Sequence, residues 1–151
     1  MNAGGVDKAC KSSDQMSDFR RQISDVIVEL MDVTQLRIYE KALELLLSIY
    51  ELVGQLPRRE FELRSQLCNS AKAISAQITE GFAKKDSQIE FKRFLLMALG
   101  SSDETVTHLR QIHLLKFTEV DLNLCSSLIG EYQSESKQIN SLIQKIKSKM
   151  I

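Results

Sequence analysis

The sequence predicts an all-α protein, an antiparallel up-down-up-down four-helix bundle with an extra N-terminal helical extension. The 151-residue chain contains one proline and six glycines, too few turn-forming residues for a many-stranded sandwich or barrel. Apolar residues recur at steps of three and four over four long stretches, which is the spacing of a helix face. The connections between these stretches span about two to six residues, and such short connections favour antiparallel neighbours.

Two segments divide the chain. Residues 1–32 form the predicted extension, and residues 33–150 form the predicted bundle. Within the extension, residues 1–16 are polar and show no period, so we expect them to be disordered. Residues 17–31 carry apolar side chains at helical spacing and predict a short helix.

The first bundle helix, predicted from about Val33 to Val53, carries two apolar stripes about 100° apart. The first stripe consists of Leu36, Tyr39, Leu43, Leu46, Tyr50 and Val53, and the second of Ile38, Ala42, Leu45, Ile49 and Leu52. A bundle helix normally buries one stripe, so the second would expose more apolar surface than a monomer usually tolerates. We therefore expect a homo-oligomer with Ile38, Leu45 and Leu52 at its interface.

Local signals predict the other helix ends. Gly54 ends the first helix, Pro57 suits the first position of the second, and Gly81 is a candidate left-handed cap. Ser87 and Glu90 form a capping box that opens the third helix. That helix extends to about Leu115, and a second capping start, from Thr118 to Asp121, precedes the fourth. The inner stripe of the fourth helix consists of Cys125, Leu128, Tyr132, Ser136, Ile139, Ile143 and Ile146.

Several polar residues fall on predicted inner faces of the second and third helices. They are Gln66, Gln77, Glu80, Ser101 and Glu104. A buried polar network that fixes helix register accounts for them, and a ligand or partner site built on that network is the alternative. Gly100 lies inside the third helix, where glycine costs about 1 kcal/mol, and it favours close approach of another helix.

The sequence favours no catalytic chemistry. The two histidines, His108 and His113, lie on one predicted helix, and Glu104 and His108 do not have the Glu-x-x-His spacing of di-iron bundles. No phosphate-binding glycine loop is present. We expect no enzymatic activity, no metal, no cofactor and no small-molecule substrate. Three scattered cysteines and the lack of a 20-residue apolar run predict a cytoplasmic protein with free thiols and no membrane contact.

Basic residues cluster at three places although the net charge is zero, and one of them is the segment 137–151 with Lys137, Lys145, Lys147 and Lys149. Lys84, Lys85, Lys92 and Arg93 surround the turn between the second and third helices, and Arg58 and Arg59 lie near the preceding turn. Solvated helix faces are one interpretation and phosphate contacts are the other, since lysine and arginine on phosphates make binding depend steeply on salt.

The chain resembles a known family through an ordered set of short motifs. They are Leu36-x-x-Tyr39-Glu40-Lys41-Ala42, Leu56-Pro57-x-x-Glu60, Gln66-Leu67, Ile78-Thr79-Glu80-Gly81, and Glu90-Phe91-x-x-Phe94-Leu95-x-x-Ala98-x-Gly100-Ser101-x-x-Glu104. Together they resemble the four-helix-bundle proteins also called 23S rRNA intervening-sequence proteins. The resemblance implies a cytoplasmic bacterial homopentamer without enzymatic activity and with an unknown biochemical role. A distant relative accompanies a reverse transcriptase and binds nucleic acid.

The chain also departs from that family. Cys68 and Asn69 stand where two arginines are usual, which weakens a nucleic-acid role for the second helix. Gln77 replaces an asparagine, Thr79 an alanine and Ala83 a glycine. The resulting hypothesis is an oligomeric bundle associated with RNA or DNA; the alternative is an adaptor that binds another protein without nucleic acid.

Overall fold

A computed structural model describes residue 33 and residues 36–149, with side chains up to residue 146. Its helices are α1 (Arg37–Gln55), α2 (Phe61–Ala83), α3 (Gln88–Leu115) and α4 (Leu122–Lys149), and a 3-10 turn, Arg58–Glu60, precedes α2. Across these residues the structure contains no strand, so the all-α prediction is confirmed. The predicted N-terminal extension, with its short helix and Cys10, lies outside the described residues.

The helices form a four-cornered bundle. Among the described residues the helix pairs in contact are α1–α2, α2–α3, α3–α4 and α1–α4, so each helix packs against two neighbours. The end of α1 meets the start of α4, where the Asp121 backbone N–H donates to Gln55 Oε1 at 2.8 Å. We call this end, with the α1–α2 and α3–α4 connections, the upper end, and the end with the α2–α3 connection the lower end.

One apolar core runs along the bundle axis. Its largest fully buried side chains are Ile49 and Leu52 of α1, Leu67, Ile74 and Ile78 of α2, Phe91, Leu95, Leu109 and Ile112 of α3, and Tyr132, Ile139 and Ile143 of α4. The predicted inner stripe of the fourth helix supplies Tyr132, Ile139 and Ile143 of this list. None of the helices in the described part of the chain is long and apolar enough to span a membrane.

The second α1 stripe is buried, and the first stripe is exposed only in part. Ile38, Leu45 and Leu52 are buried within the single chain, and Leu45 exposes only 6% of its surface. They cannot form a surface between copies, so their assignment to an oligomer interface is wrong. The physical reason is that α2 and α4 both pack on α1 and cover the second stripe. Leu43 and Tyr50 of the first stripe are left exposed.

The predicted glycine caps are also wrong. Helix α2 continues through Gly81 to Ala83, and α1 continues through Gly54 to Gln55. Neither glycine has positive φ, so neither uses the conformation for which glycine is needed at a cap. Gly81 is instead buried against α3, where a Cβ would lie 2.9 Å from Phe94 Cβ.

The N-terminal caps of α3 and α4 are side chains. The Glu90 backbone N–H donates to Ser87 Oγ at 3.3 Å, which confirms Ser87 as the N-cap of α3. The second bond of the predicted capping box is not made, because the Ser87 N–H donates to the backbone oxygen of Lys84 and the Glu90 carboxylate accepts from Arg93. At α4 the cap is Asp121 rather than Thr118, because Asp121 Oδ1 accepts from the backbone N–H groups of Asn123 at 2.9 Å and Leu124 at 3.2 Å. The C-cap that follows α3 is Lys116, a residue in the left-handed region with φ of 50°.

Candidate nucleic-acid interface

Three of the predicted basic residues lie on aromatic rings at the lower end of the bundle. Lys84 Nζ lies 4.6 Å from the centre of the Phe94 ring, and the Arg93 guanidinium lies 4.6 Å from the same centre. Lys85 Nζ lies 4.3 Å from the centre of the Phe82 ring. Cation–π contacts of this kind are each worth about 0.5–1 kcal/mol at exposed sites. They hold the three cations close together beside the α2–α3 turn.

The carboxylates of Glu90 and Glu80 both act on Arg93 and partly neutralise its group of basic residues, which we call the lower cation cluster (Lys84, Lys85, Lys92 and Arg93). Arg93 Nη2 lies 3.0 Å from Glu90 Oε2, one turn earlier on α3. The hydrogen bond from Arg93, aided by its charge, lowers the pKa of the Glu90 carboxyl below its ordinary value. The net positive charge of the cluster therefore rests mainly on Lys84, Lys85 and Lys92.

Arg58 and Arg59 are far from that cluster. They lie in the exposed 3-10 turn at the upper end, before α2, whereas Lys84 follows α2 at the lower end. Helix α2 has 23 residues, which at about 1.5 Å per residue separates the two groups by about 35 Å along the bundle. The six predicted phosphate contacts therefore do not form one surface within a single chain.

Small polar side chains form a layer between α2 and α3. Ser101 Oγ donates to Gln77 Oε1 at 2.8 Å, so these two predicted network residues bond directly. The Thr105 hydroxyl lies 2.9 Å from Ser70 Oγ and 2.8 Å from the backbone oxygen of Ser101. Ser70, Ser101 and Thr105 are buried. Because such groups are costly to bury unpaired, the layer fixes the register of α2 against α3.

The other predicted members lie outside the layer. Gln66, Glu80 and Glu104 are exposed; Gln66 bonds to Glu62, and Glu104 Oε1 lies 3.2 Å from His108 Nε2. Gly100 is also exposed, and no heavy atom lies within 4 Å of where its Cβ would be, so it does not admit a neighbouring helix in the chain. Helix spacing placed these residues near the core, but the bundle turns them toward solvent.

The prediction missed the most unusual buried group, Glu135 of α4. Glu135 is fully buried, yet within the described chain neither of its carboxylate oxygens has a hydrogen-bond partner, and the hydroxyl of Tyr132 lacks one too. Burial raises the pKa of Glu135 to about 8, against an opposing effect from the charge of Lys41. The signal was present in the sequence, because Glu135 lies seven residues after Leu128 and four before Ile139. The predicted stripe used the neighbouring Ser136 instead.

The described residues offer no recognisable metal site. No three His, Cys, Asp or Glu side chains among them are grouped so that they could hold an ion. The two cysteines in this part of the chain, Cys68 and Cys125, are free thiols, and Cys125 Sγ donates to the backbone oxygen of Leu109 at 3.2 Å.

The antiparallel arrangement, the polar layer and the basic lower end define a small helical-bundle protein. The chain belongs to the 23S rRNA-intervening sequence protein family, whose model matches residues 34–146. It is also similar to the crystal structure of a protein of unknown function from the S23 ribosomal protein family of Bacteroides thetaiotaomicron. That similarity has a TM-score of 0.63 at 24% identity and covers 70% of this chain and 97% of the other, so it shows the fold alone. No curated protein matches the chain.

Proposed function

We propose that this protein is a non-enzymatic assembly module whose copies associate into a ring and present the lower cation cluster to the phosphates of a nucleic acid. The observation that carries the proposal is the gathering of Lys84, Lys85 and Arg93 on the rings of Phe82 and Phe94 at one end of the bundle. A bacterial, cytoplasmic setting and a ring of five copies belong to the same proposal and rest on the family resemblance.

The first support for assembly is an apolar stripe on the outside of α1. Leu43, Leu47 and Tyr50 follow one another at steps of four and three, and all three are exposed; Leu47 exposes 80% of its surface. Single exposed apolar residues are ordinary on a monomer, whereas a contiguous stripe of them marks an interaction surface. This stripe replaces the buried residues that the sequence alone suggested.

A second apolar surface lies on α3. Ile89, Leu96 and Met97 are exposed there, near the lower end. Because α1 and α3 are not neighbours in the bundle, the two surfaces lie at opposite corners of the molecule. Contact between two different surfaces of identical chains is head-to-tail, and when the rotation closes it forms a ring.

The charges beside the two surfaces are complementary. Exposed glutamates, namely Glu40, Glu44 and Glu51, accompany the α1 stripe, whereas Lys92 accompanies the α3 surface; Arg93 beside it is already paired with Glu90. Opposite charge on two facing surfaces favours the head-to-tail pairing and disfavours pairing of either surface with itself. In such a ring the clusters of all copies lie on the same side, and avidity for a long polyanion rises without any new contact.

The test is salt-dependent binding to RNA and DNA by the full chain. Charge reversal at both lysines, Lys84→Glu together with Lys85→Glu, should weaken binding. It should also reduce the slope of log K against log salt by about one for each phosphate that is no longer neutralised. The matched control is Arg58→Glu with Arg59→Glu, the same charge change at the upper end, which should retain more of the affinity. Equal losses of affinity in both variants would indicate a response to overall charge and would reject the lower cation cluster as the phosphate-binding surface.

A second candidate function, an adaptor that binds another protein, is favoured by exposed apolar residues at the upper end. Phe61 begins α2, and Leu114 and Leu115 end α3; Leu114 exposes 78% of its surface. These side chains suit an apolar protein partner rather than phosphate. Two results together would support the adaptor and reject the nucleic-acid role. The wild-type chain would bind neither RNA nor DNA at low salt, and it would bind a protein partner that the Leu114→Ser variant no longer binds.

A further inference from the structure

A carboxyl group without a partner lies in the bundle interior where α1 and α4 meet. Glu135 is as buried as the surrounding core, and within the described chain neither carboxylate oxygen is hydrogen-bonded. An ionised carboxylate in such a place has a large desolvation cost, whereas the neutral acid has a much smaller one. The geometry therefore favours a bound proton on Glu135 while the bundle is folded.

A nearby cation is already engaged by another acid. Lys41 of α1 lies 2.7 Å from Glu131 Oε2, one turn before Glu135 on α4. The charge of Lys41 acts on Glu135 as well, since it opposes the effect of burial on the pKa of that carboxyl. Both members of the Lys41–Glu131 pair remain about two-fifths exposed, and exposed pairs contribute little to stability. Lys41 can thus leave Glu131 at little cost.

Other titratable groups also face this part of α4. On α4 itself Tyr132 faces Glu135, and burial together with the charge of Glu135 raises the pKa of the Tyr132 hydroxyl above its ordinary range. From α2, the charge of Cys68 also raises the pKa of Tyr132. Burial raises the pKa of Cys68 itself, against the charges of Lys72 and Arg64. From α3, Asp103 Oδ1 accepts a hydrogen bond from Ser136 Oγ at 2.8 Å. This bond holds the Asp103 carboxylate at Ser136, the residue next to Glu135.

We propose that Glu135 is a proton-binding switch at the α1–α4 contact: it carries its proton at neutral pH, and when it loses that proton Lys41 moves from Glu131 to Glu135. The proton leaves for solvent, and the charge that remains on Glu135 is compensated by Lys41. This switch is independent of the proposed nucleic-acid role, because it lies inside the bundle and away from the lower cation cluster.

The direction of the pH effect follows from the raised pKa. The unfolded chain releases the Glu135 proton near 4.5, and the folded chain releases it near 8. The stabilisation is therefore complete below about pH 4.5 and is lost as the pH rises toward 8. Between these values the equilibrium constant for folding should fall about tenfold per pH unit through this group alone.

The experiment is urea unfolding of the full chain, at one protein concentration, from pH 5 to pH 9. Glu135→Gln keeps the shape of the neutral acid, so it should remove this tenfold-per-unit decline and leave the remaining pH dependence. Carboxyl-carbon NMR of the folded wild-type chain, with the Glu135 signal assigned by its absence in Glu135→Gln, should show a protonated group at pH 6 that titrates near pH 8.

Two further variants separate a switch from a merely buried acid. Lys41→Met removes the compensating cation and should raise the NMR midpoint of Glu135, whereas Glu131→Gln releases Lys41 and should lower it. An ionised Glu135 at pH 6, or the same stability profile in Glu135→Gln and wild type, would overturn proton binding. Midpoints unchanged in both Lys41→Met and Glu131→Gln would overturn the exchange of partners by Lys41.

Discussion

Gly81 of α2 and Phe94 of α3 approach so closely that a Cβ on Gly81 would lie only 2.9 Å from the Phe94 Cβ. The same contact includes Phe91, whose ring also packs edge-on against Phe82 with centroids 6.5 Å apart. Phe82 and Phe94 are the rings over which Lys84, Lys85 and Arg93 lie. The missing side chain at Gly81 therefore lets α2 and α3 bring the lower cation cluster together.

The first prediction compares two helical glycines. Gly81→Ala and Gly100→Ala gain the same helix propensity, about 1 kcal/mol, but only Gly81→Ala also overpacks the helix contact. The free energy of unfolding should therefore be about 1–3 kcal/mol lower for Gly81→Ala than for Gly100→Ala, measured by chemical denaturation. Equal free energies of unfolding for these two variants would show that α3 can shift at Phe94 without a measurable cost.

The second prediction compares adjacent leucines of α3. Leu95 is fully buried, whereas Leu96 is exposed. Leu95→Ala should lower the free energy of unfolding by about 2–5 kcal/mol, because it removes buried methyl groups and leaves a cavity. Leu96→Ala should change stability by less than about 0.5 kcal/mol in the isolated chain. A small effect at Leu95 would place that residue outside the core.

The third prediction concerns assembly and compares two leucines of α1. Leu47→Glu places a charge on the exposed stripe, so it should dissociate the oligomer to single chains that keep their helical circular dichroism. Leu45→Glu buries an unpaired charge in the core and should unfold the chain itself. Sedimentation velocity gives the mass and circular dichroism gives the helix content. A wild-type chain that sediments as a monomer, or a Leu47→Glu oligomer of unchanged mass, would contradict assembly through α1.

The fourth prediction concerns the start of α4. Asp121→Ala removes the acceptor of two backbone N–H groups and should cost about 0.5–2 kcal/mol of stability. Thr118→Ala should cost much less, since Thr118 lies before the observed cap. Thermal unfolding of both variants checks the assignment. A larger loss of stability in Thr118→Ala than in Asp121→Ala would show that Thr118 is the N-cap of α4, as the sequence suggested.

Much of the fold could be predicted from local signals. The bond from the Glu90 N–H to Ser87 Oγ acts within one turn, so these residues alone are enough to place the start of α3. The apolar inner positions of α4 follow from spacing because that helix has one dominant apolar face. Gly81 could not be assigned in this way, since a cap and a close helix contact both require glycine and the sequence shows no difference between them.

The candidate site was predicted in part. The cluster of basic residues was visible because its members are close in sequence, but their arrangement on Phe82 and Phe94 depends on how α2 meets α3. Glu135 was missed because a glutamate beside a serine on a helix is normally taken as the solvent-facing one. Only the positions of the neighbouring helices show that Glu135 turns inward.

The sequence by itself determined that this chain forms long amphipathic helices and which family it belongs to, because periodicity and motifs are local properties. The tertiary structure decided which α1 stripe is buried, which polar residues pair and which acid lies in the core. Two stripes 100° apart on one helix are equivalent until α2 and α4 pack on one of them. The free energy of burial depends on the neighbours that cover a side chain, and residue spacing on a single helix does not contain that information.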